Sequence, residues 1–204
     1  MAKIKICGLS RYEDIEIVNE VLPDYIGFVF ADSRRKVSDP VASELRKRLN
    51  PGIKVVGVFV NEDILHITEL CKQGIIDIVQ LHGDEDEGYL ESLRSKIDNE
   101  IIKAVRVRSA EDILKTSELE CDYLLFDAFH KEQYGGSGKT FDWTVVTRPG
   151  KPYFLAGGLN QDNILQAVKL LQPYAVDISS GVETDGFKDA DKIRNIIAKV
   201  RSVE

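Results

Sequence analysis

The chain has 204 residues, 43% of them hydrophobic and 30% charged, which is typical of a globular protein with a substantial core. Its formal net charge of −7 argues against nucleic acid or an anionic membrane as a general partner. No apolar run approaches the roughly 20 residues that a membrane helix needs, so we expect no membrane partner.

The three cysteines are odd in number and widely spaced, at Cys7, Cys71 and Cys121. That pattern resembles neither a disulfide framework nor a metal cluster, and His66 and His130 have no spacing partner for a metal ion. No signal-peptide pattern precedes the first predicted strand. We therefore expect a protein of the reducing cytoplasm, with no metal site.

Short β-rich apolar runs alternate with charged segments of helical spacing along the chain. The first run, Lys3–Cys7, places Ile4 and Ile6 in alternation with lysines, which is the period-two pattern of a strand. The last segment, about residues 189–201, carries isoleucine and valine at i, i+3, i+4 and i+7 and predicts an amphipathic helix. The other predicted strands are 24–30, 53–60, 78–81, 101–107, 123–127, 153–156 and 175–178.

Eight predicted strands, with about eight helical segments between them, indicate a single-domain (β/α)8 barrel that spans residues 1–204. The alternative is an open, doubly wound sheet. No Gly-x-Gly-x-x-Gly follows the first strand, and the candidate functional residues are spread over many strand ends. Both observations favour the eight-stranded parallel TIM barrel, which collects all its strand ends at one mouth.

Cys7 is the last residue of the first predicted strand, with Gly8 behind it to let the chain turn. A thiol at this position lies where loops gather and small molecules bind. The alternative role is that of a small buried hydrophobic residue, which is our interpretation of Cys71 and Cys121. As a base, Cys7 needs local stabilisation of its thiolate, from Lys5, Arg35 or a bound ligand.

Asp127 closes the apolar run that begins at Tyr123. An unpaired charge inside a buried strand is unfavourable, so we expect this carboxyl group at the barrel mouth. There it is suited to act as a general acid, and the alternative is a helix or turn cap.

Two glycine-containing turns follow the seventh and eighth predicted strands, at Gly157-Gly158 and Ser180-Gly181. In barrels, loop amides and a short helix N-terminus at this place hold a phosphate group. Each turn alone is more often plain turn chemistry. Together they predict a site for a phosphorylated small molecule.

Polar side chains follow the second and fourth predicted strands as well. Arg34 and Arg35 belong to a basic cluster after strand two, where a guanidinium group can clamp a carboxylate. Gln80 and His82 are two residues apart at the end of strand four, so their side chains point the same way. The glycine-rich segment Tyr134–Trp143 lacks the spacing of a nucleotide P-loop, and we interpret it as a mobile cover.

With these residues in place, the chain resembles the phosphoribosylanthranilate isomerase family of tryptophan biosynthesis. The resemblance implies a (β/α)8 barrel that acts on a small phosphorylated substrate without a metal or organic cofactor, as a monomer or a homodimer. The matching motifs run in family order, at Lys5–Gly8, Gly27–Phe30, Gly57–Asn61, Val79–Gly83, Tyr134–Trp143, Ala156–Asn160 and Val176–Glu183.

The resemblance also implies a reaction and the roles of individual residues. The reaction is the Amadori rearrangement of N-(5-phosphoribosyl)anthranilate to 1-(2-carboxyphenylamino)-1-deoxyribulose 5-phosphate. By similarity, Asp127 is the general acid and Cys7 the general base, while Arg35 binds the anthranilate carboxylate. Gly157, Gly158, Ser180 and Gly181 match the phosphate site, and Gln80 and His82 match the substrate pocket.

Three other functions are compatible with parts of the pattern. The histidine-pathway isomerase performs the same rearrangement but has an aspartate at the end of strand one, where this chain has Cys7. A metal-dependent ribulose-phosphate epimerase needs histidines and carboxylates at several strand ends. A catalytically inactive barrel that binds a phosphorylated metabolite has no need to keep both Cys7 and Asp127.

Overall fold

The barrel strands are found where the sequence predicts them, with ends that differ by at most one residue. The computed structural model describes residues 1–116, 118–128, 142–146 and 150–203. Within these ranges the barrel strands are β1 (Lys3–Cys7), β2 (Tyr25–Val29), β3 (Lys54–Phe59), β4 (Ile78–Leu81), β5 (Glu100–Val107), β6 (Tyr123–Ala128), β7 (Tyr153–Leu155) and β8 (Ala175–Ile178).

Helices connect most consecutive strands, and aspartates at the N-termini of several of them accept hydrogen bonds from free amides of the first turn. The described helices are α1 (Tyr12–Val21), α2 (Asp39–Arg48), α3 (Ile64–Lys72), α4 (Glu87–Arg94), α5 (Ala110–Thr116), α6 (Ile164–Leu171) and α7 (Ala190–Arg201). Between β6 and β7 the described residues hold a 3₁₀ turn, Trp143–Val145. Residues 134–141 of the predicted cover lie outside the described ranges. No described helix is both long enough and apolar enough to span a membrane.

The sheet closes on itself, because β1 pairs in parallel with both β2 and β8. Lys5 of β1 lies opposite Tyr25 on one side and Asp177 on the other. The (β/α)8 barrel is therefore confirmed, and the alternative of an open sheet is wrong. All eight strands run the same way, so their C-terminal ends meet at a single mouth.

The two faces of the barrel strands pack in different places. Ile4 and Ile6 belong to the large core between the strands and the helices, together with residues of α1 such as Ile15. A smaller cluster of alternate strand residues, which includes Val56 and Phe154, fills the barrel interior. Successive strand residues point to opposite faces, so Lys5 and Cys7 face the barrel axis.

A short antiparallel hairpin between β8 and α7 is a feature that the sequence analysis did not predict. It consists of β9 (Glu183–Thr184) and β10 (Phe187–Lys188), joined by Asp185-Gly186. Both turn residues have positive φ, 52° and 86°, as a type I′ turn requires. The hairpin folds back over the end of β8 and delivers Lys188 to the barrel mouth, where its side chain is buried.

Asp189 links this hairpin to α7, and its replacement tests that link. Its carboxylate accepts hydrogen bonds from the amides of Asp191 and Lys192 and from the Thr184 hydroxyl. We expect Asp189→Ala to lower the free energy of unfolding by about 1 kcal/mol, as loss of an N-cap does. Urea titration measures this, and Asp191→Ala, whose side chain is 95% exposed, is the control and should change stability by less than about 0.5 kcal/mol.

The effect of Asp189→Ala should also depend on pH. The hydrogen bond from Thr184 and those from the helix amides hold the pKa of Asp189 below its ordinary value. The stabilisation is therefore present above the unfolded-state pKa and is lost as the pH falls through the folded-state pKa. If the difference in the free energy of unfolding between the wild type and Asp189→Ala stayed constant into strong acid, this assignment would be contradicted.

Candidate active site

A cavity of about 820 Å³ opens at the C-terminal ends of the strands. Its lining comes from β1 and from the segments that end or follow β2, β3, β4, β6, β7 and β8. The predicted site residues that line it are Cys7, Arg35, Gln80, His82, Asp127, Gly157, Gly158 and Ser180.

Cys7 occupies its position because the neighbouring strand has no side chain there. Gly27 of β2 pairs with Cys7, and a Cβ atom built on Gly27 would lie only 2.7 Å from the sulfur. Cβ atoms do not approach other atoms this closely in real structures. The absence of a side chain at Gly27 therefore leaves room for the Cys7 thiol at the edge of the cavity.

Charged groups surround the Cys7 sulfur. Burial raises the pKa of the thiol, the Lys5 ammonium opposes this, Asp177 adds to the rise and Lys188 opposes it. The Lys5 ammonium donates a hydrogen bond of 2.8 Å to Asp177 Oδ2, and the lysine side chain is completely buried. The balance of these effects leaves the pKa of Cys7 above its ordinary value.

Asp127 lies near the end of β6, on the other side of the cavity from β1. Its Oδ1 accepts a hydrogen bond from the Ala128 amide, and its Oδ2 lies 3.2 Å from His82 Nε2. The Gln80 side-chain nitrogen lies 2.9 Å from His82 Nδ1 and can only donate to it. His82 Nδ1 therefore accepts in this contact, and Nε2 faces the carboxylate of Asp127.

Arg35 is held at the rim by Glu183 of the hairpin. Its Nε and Nη2 atoms donate to the two carboxylate oxygens at 2.7 and 3.0 Å, and Arg34 also bonds to Glu183. Lys188 donates to the same carboxylate at 2.7 Å. Burial acts to raise the pKa of Glu183, but the hydrogen bond from Arg35 and the charge of Lys188 outweigh it and hold the pKa below its ordinary value. A bidentate pair uses two of the five guanidinium N–H groups, so Arg35 keeps donors for a ligand.

The loops after β7 and β8 meet through backbone atoms. Gly157 has φ of +82°, and a Cβ atom on it would lie 2.7 Å from the Ala128 amide nitrogen. A Cβ atom on Gly181 would lie 1.9 Å from the Leu159 carbonyl oxygen, so Gly181 packs against the β7 loop while Ser180 lines the cavity. Glycine at these positions brings main-chain groups of both loops to one edge of the cavity.

Three buried polar atoms of cavity-lining residues have no hydrogen-bond partner among the described residues. They are Gln80 Oε1, His82 Nε2 and Asp177 Oδ1. A buried polar atom without a partner costs about 1–3 kcal/mol, which a polar ligand can recover by supplying the missing bond. The cavity is therefore suited to a ligand rich in hydroxyl groups. Within the described ranges, no group of three or more His, Cys, Asp or Glu residues is placed to hold a metal ion.

Sequence reasoning missed three charged residues of this region. Asp177 interrupts an apolar strand run, which is the same signal that singled out Asp127. The Asp185-Gly186 pair is a hairpin signal, and the hairpin places Glu183 and Lys188 beside the mouth.

Comparison with known proteins identifies the family. The family model described as N-(5'-phosphoribosyl)anthranilate (PRA) isomerase matches residues 4–199. The chain belongs to the PRA isomerase family. The resemblance drawn from the sequence motifs is confirmed.

Individual relatives match along their whole length. The N-(5'-phosphoribosyl)anthranilate isomerase of Endomicrobium trichonymphae is 50% identical over 203 residues, and the alignment covers 100% of both chains. The enzyme of the same name from Caldanaerobacter subterraneus subsp. tengcongensis is 46% identical over 205 residues, again covering 100% of both.

Solved structures of the family share the fold. The PRA isomerase of Thermotoga maritima is 33% identical with a TM-score of 0.90, and 100% of each chain is covered. A PRA isomerase in complex with reduced 1-(o-carboxyphenylamino)-1-deoxyribulose 5-phosphate is 32% identical with a TM-score of 0.85, over 100% of each chain.

Replacement of Gly27 tests whether the space beside Cys7 matters. We expect Gly27→Ala to displace the Cys7 side chain, to lower the free energy of unfolding by about 1–3 kcal/mol and to reduce isomerase kcat/KM. Gly88→Ala is the control, because a Cβ atom on this helical glycine meets only Asp86 Oδ1 at 3.6 Å. Urea titration and steady-state kinetics measure both variants. Wild-type stability and turnover in Gly27→Ala would contradict the close packing of Cys7 against β2.

Proposed function

We propose that this PRA isomerase carries out the Amadori rearrangement of N-(5-phosphoribosyl)anthranilate with Asp127 as the general acid and Cys7 as the general base, as a monomer or a homodimer. The observation that carries the proposal is that these two side chains line one cavity of a PRA isomerase barrel. A thiol at the end of β1 and a carboxyl group near the end of β6 can address different atoms of one sugar.

The first step opens the ribose ring. Protonated Asp127 donates its proton to the ring oxygen as the bond from that oxygen to C1 breaks, and the nitrogen lone pair forms a positively charged iminium. The position of Asp127 supports this role, because its Oδ1 accepts a hydrogen bond from the Ala128 amide and its Oδ2 lies 3.2 Å from His82 Nε2. Gln80 and His82 line the same wall and are proposed to contact the sugar.

The second step removes the proton from C2. The iminium withdraws electrons from the C2–H bond, so the Cys7 thiolate can take that proton and leave an enolamine. The enolamine then tautomerises to the ketone of the product. Each such acid–base group is typically worth about 10²–10⁴ in rate.

Binding of the two ends of the substrate is assigned to different segments of the rim. The proposed phosphate contacts are Gly157, Gly158, Ser180 and Gly181, on the loops that join through backbone contact between Gly181 and Leu159. Arg35 is proposed to bind the anthranilate carboxylate, because Glu183 fixes one edge of its guanidinium group and the side chain lines the cavity.

The direct test of the activity follows the fluorescence of freshly generated N-(5-phosphoribosyl)anthranilate as the purified protein is added. We expect the decay to accelerate in proportion to enzyme concentration. A decay no faster than in buffer would leave the chain as a barrel that binds a phosphorylated metabolite without converting it.

Replacement of the proposed acid and base tests their roles. Cys7→Ser and Asp127→Asn should each lower kcat by about 10²–10⁴ while KM stays within a few-fold, because both groups act mainly in the transition state. Steady-state kinetics measures both constants, and Cys71→Ser, at a cysteine outside the cavity lining, is the control for a thiol loss. Near-normal turnover in either site variant would remove that residue from the mechanism.

Replacement of Arg35 tests the carboxylate contact. Arg35→Ala removes charge-assisted hydrogen bonds worth about 1.5–3 kcal/mol, so KM should rise roughly 10- to 100-fold with kcat changed only a few-fold. Arg34→Ala is the matched control, because Arg34 bonds to the same Glu183 but is 57% exposed. An unchanged KM in Arg35→Ala, or an equal rise in Arg34→Ala, would assign the carboxylate to another group.

A further inference from the structure

The proposed mechanism needs Cys7 as a thiolate, yet burial works against that state. An ordinary thiol is only a few per cent ionised at neutral pH, and burial raises the pKa of Cys7 further. The groups beside the sulfur therefore decide whether it can act as a base. This question rests on the proposed role of Cys7.

Lys5 is the first charged group that can stabilise the thiolate of Cys7. Lys5 and Cys7 are two residues apart on β1 and share the face that points to the barrel axis. The lysine side chain is 0% exposed, and its ammonium pairs with Asp177 on β8 at 2.8 Å. Burial acts to lower the pKa of Lys5, but the charges of Asp177 and Cys7 outweigh it and hold the pKa above its ordinary value. Lys5 therefore places a buried, paired ammonium group on the same strand face as the sulfur.

Lys188 is the second group, and it comes from the hairpin. Its ammonium donates to Glu183 Oε1 at 2.7 Å and to the Ser179 carbonyl oxygen at 3.0 Å. The Ser179 hydroxyl donates in turn to the carbonyl oxygen of Cys7. The lysine side chain is 2% exposed, and burial holds its pKa below the ordinary value, although Glu183 and a charged Cys7 oppose that shift. The ammonium of Lys188 and the thiolate thus favour each other.

The charges of this network leave an excess of cations. Lys5, Lys188, Arg34 and Arg35 carry four positive charges, and Asp177 and Glu183 carry two negative charges. A thiolate at Cys7 reduces that excess. We propose that Lys5 and Lys188 are positioning residues that hold Cys7 as a thiolate, by placing two buried ammonium groups beside its sulfur.

The rate at which iodoacetamide alkylates Cys7, followed as a function of pH, tests this directly. Only the thiolate reacts, so the profile reports the ionisation of this one thiol without any need for isomerase activity. Mass spectrometry of the peptide that contains Cys7 separates its reaction from those of Cys71 and Cys121. The variants are Lys5→Met and Lys188→Met, in which an unbranched apolar chain replaces the ammonium.

We expect both substitutions to shift the alkylation profile to higher pH. At a fixed neutral pH, the rate should fall at least about tenfold in Lys5→Met and by a smaller factor in Lys188→Met, since tenfold corresponds to one unit in pKa. The acidic limb of isomerase kcat/KM should move to higher pH in the same order. Lys188→Met leaves Glu183 paired with two arginines, so this variant decides the matter even when Lys5→Met fails to fold.

Lys103→Met is the matched control. Lys103 is a buried lysine of β5 whose ammonium pairs with buried Glu85 at 2.6 Å, so its loss perturbs the barrel in the same way but far from β1. Its Cys7 profile should superimpose on that of the wild type. Unshifted profiles in Lys5→Met and Lys188→Met, or an equal shift in Lys103→Met, would overturn the proposal. An inactive wild type with shifted variant profiles would instead refute the proposed function and leave the thiolate assignment standing.

Discussion

Closure of the barrel between β1 and β8 is the constraint on which the site depends. The register of that pairing sets Lys5 opposite Asp177, and their ion pair is buried at the floor of the cavity. A buried charge is costly unless it is paired, and a slip of one residue would turn Lys5 outward and leave Asp177 alone. The correct register also brings Cys7 to the mouth. The same contact thus selects the closed fold and positions the proposed base.

Local pattern was sufficient for the strands and for the two residues proposed to transfer protons. Each barrel strand is a short apolar run between turn signals, and Cys7 and Asp127 stand out because a reactive side chain closes such a run. The burial of Lys5 could not be predicted in this way. Alternating lysine and isoleucine ordinarily indicates a strand with one face in water, but a barrel strand packs its apolar face on the helices and turns the other face into the interior. Burial of the polar face is a consequence of closure, which no local pattern contains.

The hairpin shows a second limit of local reasoning. Its turn residues, Asp185 and Gly186, are a recognisable signal, but the strands they join have only two residues each. Such a ribbon is not stable alone and forms because it packs over β8 and is tied to the following helix. The hairpin contributes to the cavity rim through the side chains at its two ends. Glu183 binds Arg35 and Lys188, and these contacts form only in the folded protein, so no local sequence pattern predicts them.

The two sides of the cavity differ electrostatically, and the difference matches the proposed chemistry. General acid catalysis by Asp127 with Cys7 as base requires a protonated carboxyl group and an ionised thiol, the reverse of their ordinary states at neutral pH. The ammonium groups of Lys5 and Lys188 lie on the β1 and β8 side, where they favour the anion of Cys7. Asp127, on the other side, contacts the His82 ring and the Ala128 amide. The buried ammonium groups beside Cys7 offset part of the cost of ionising it, so they act in the direction that a thiolate base requires.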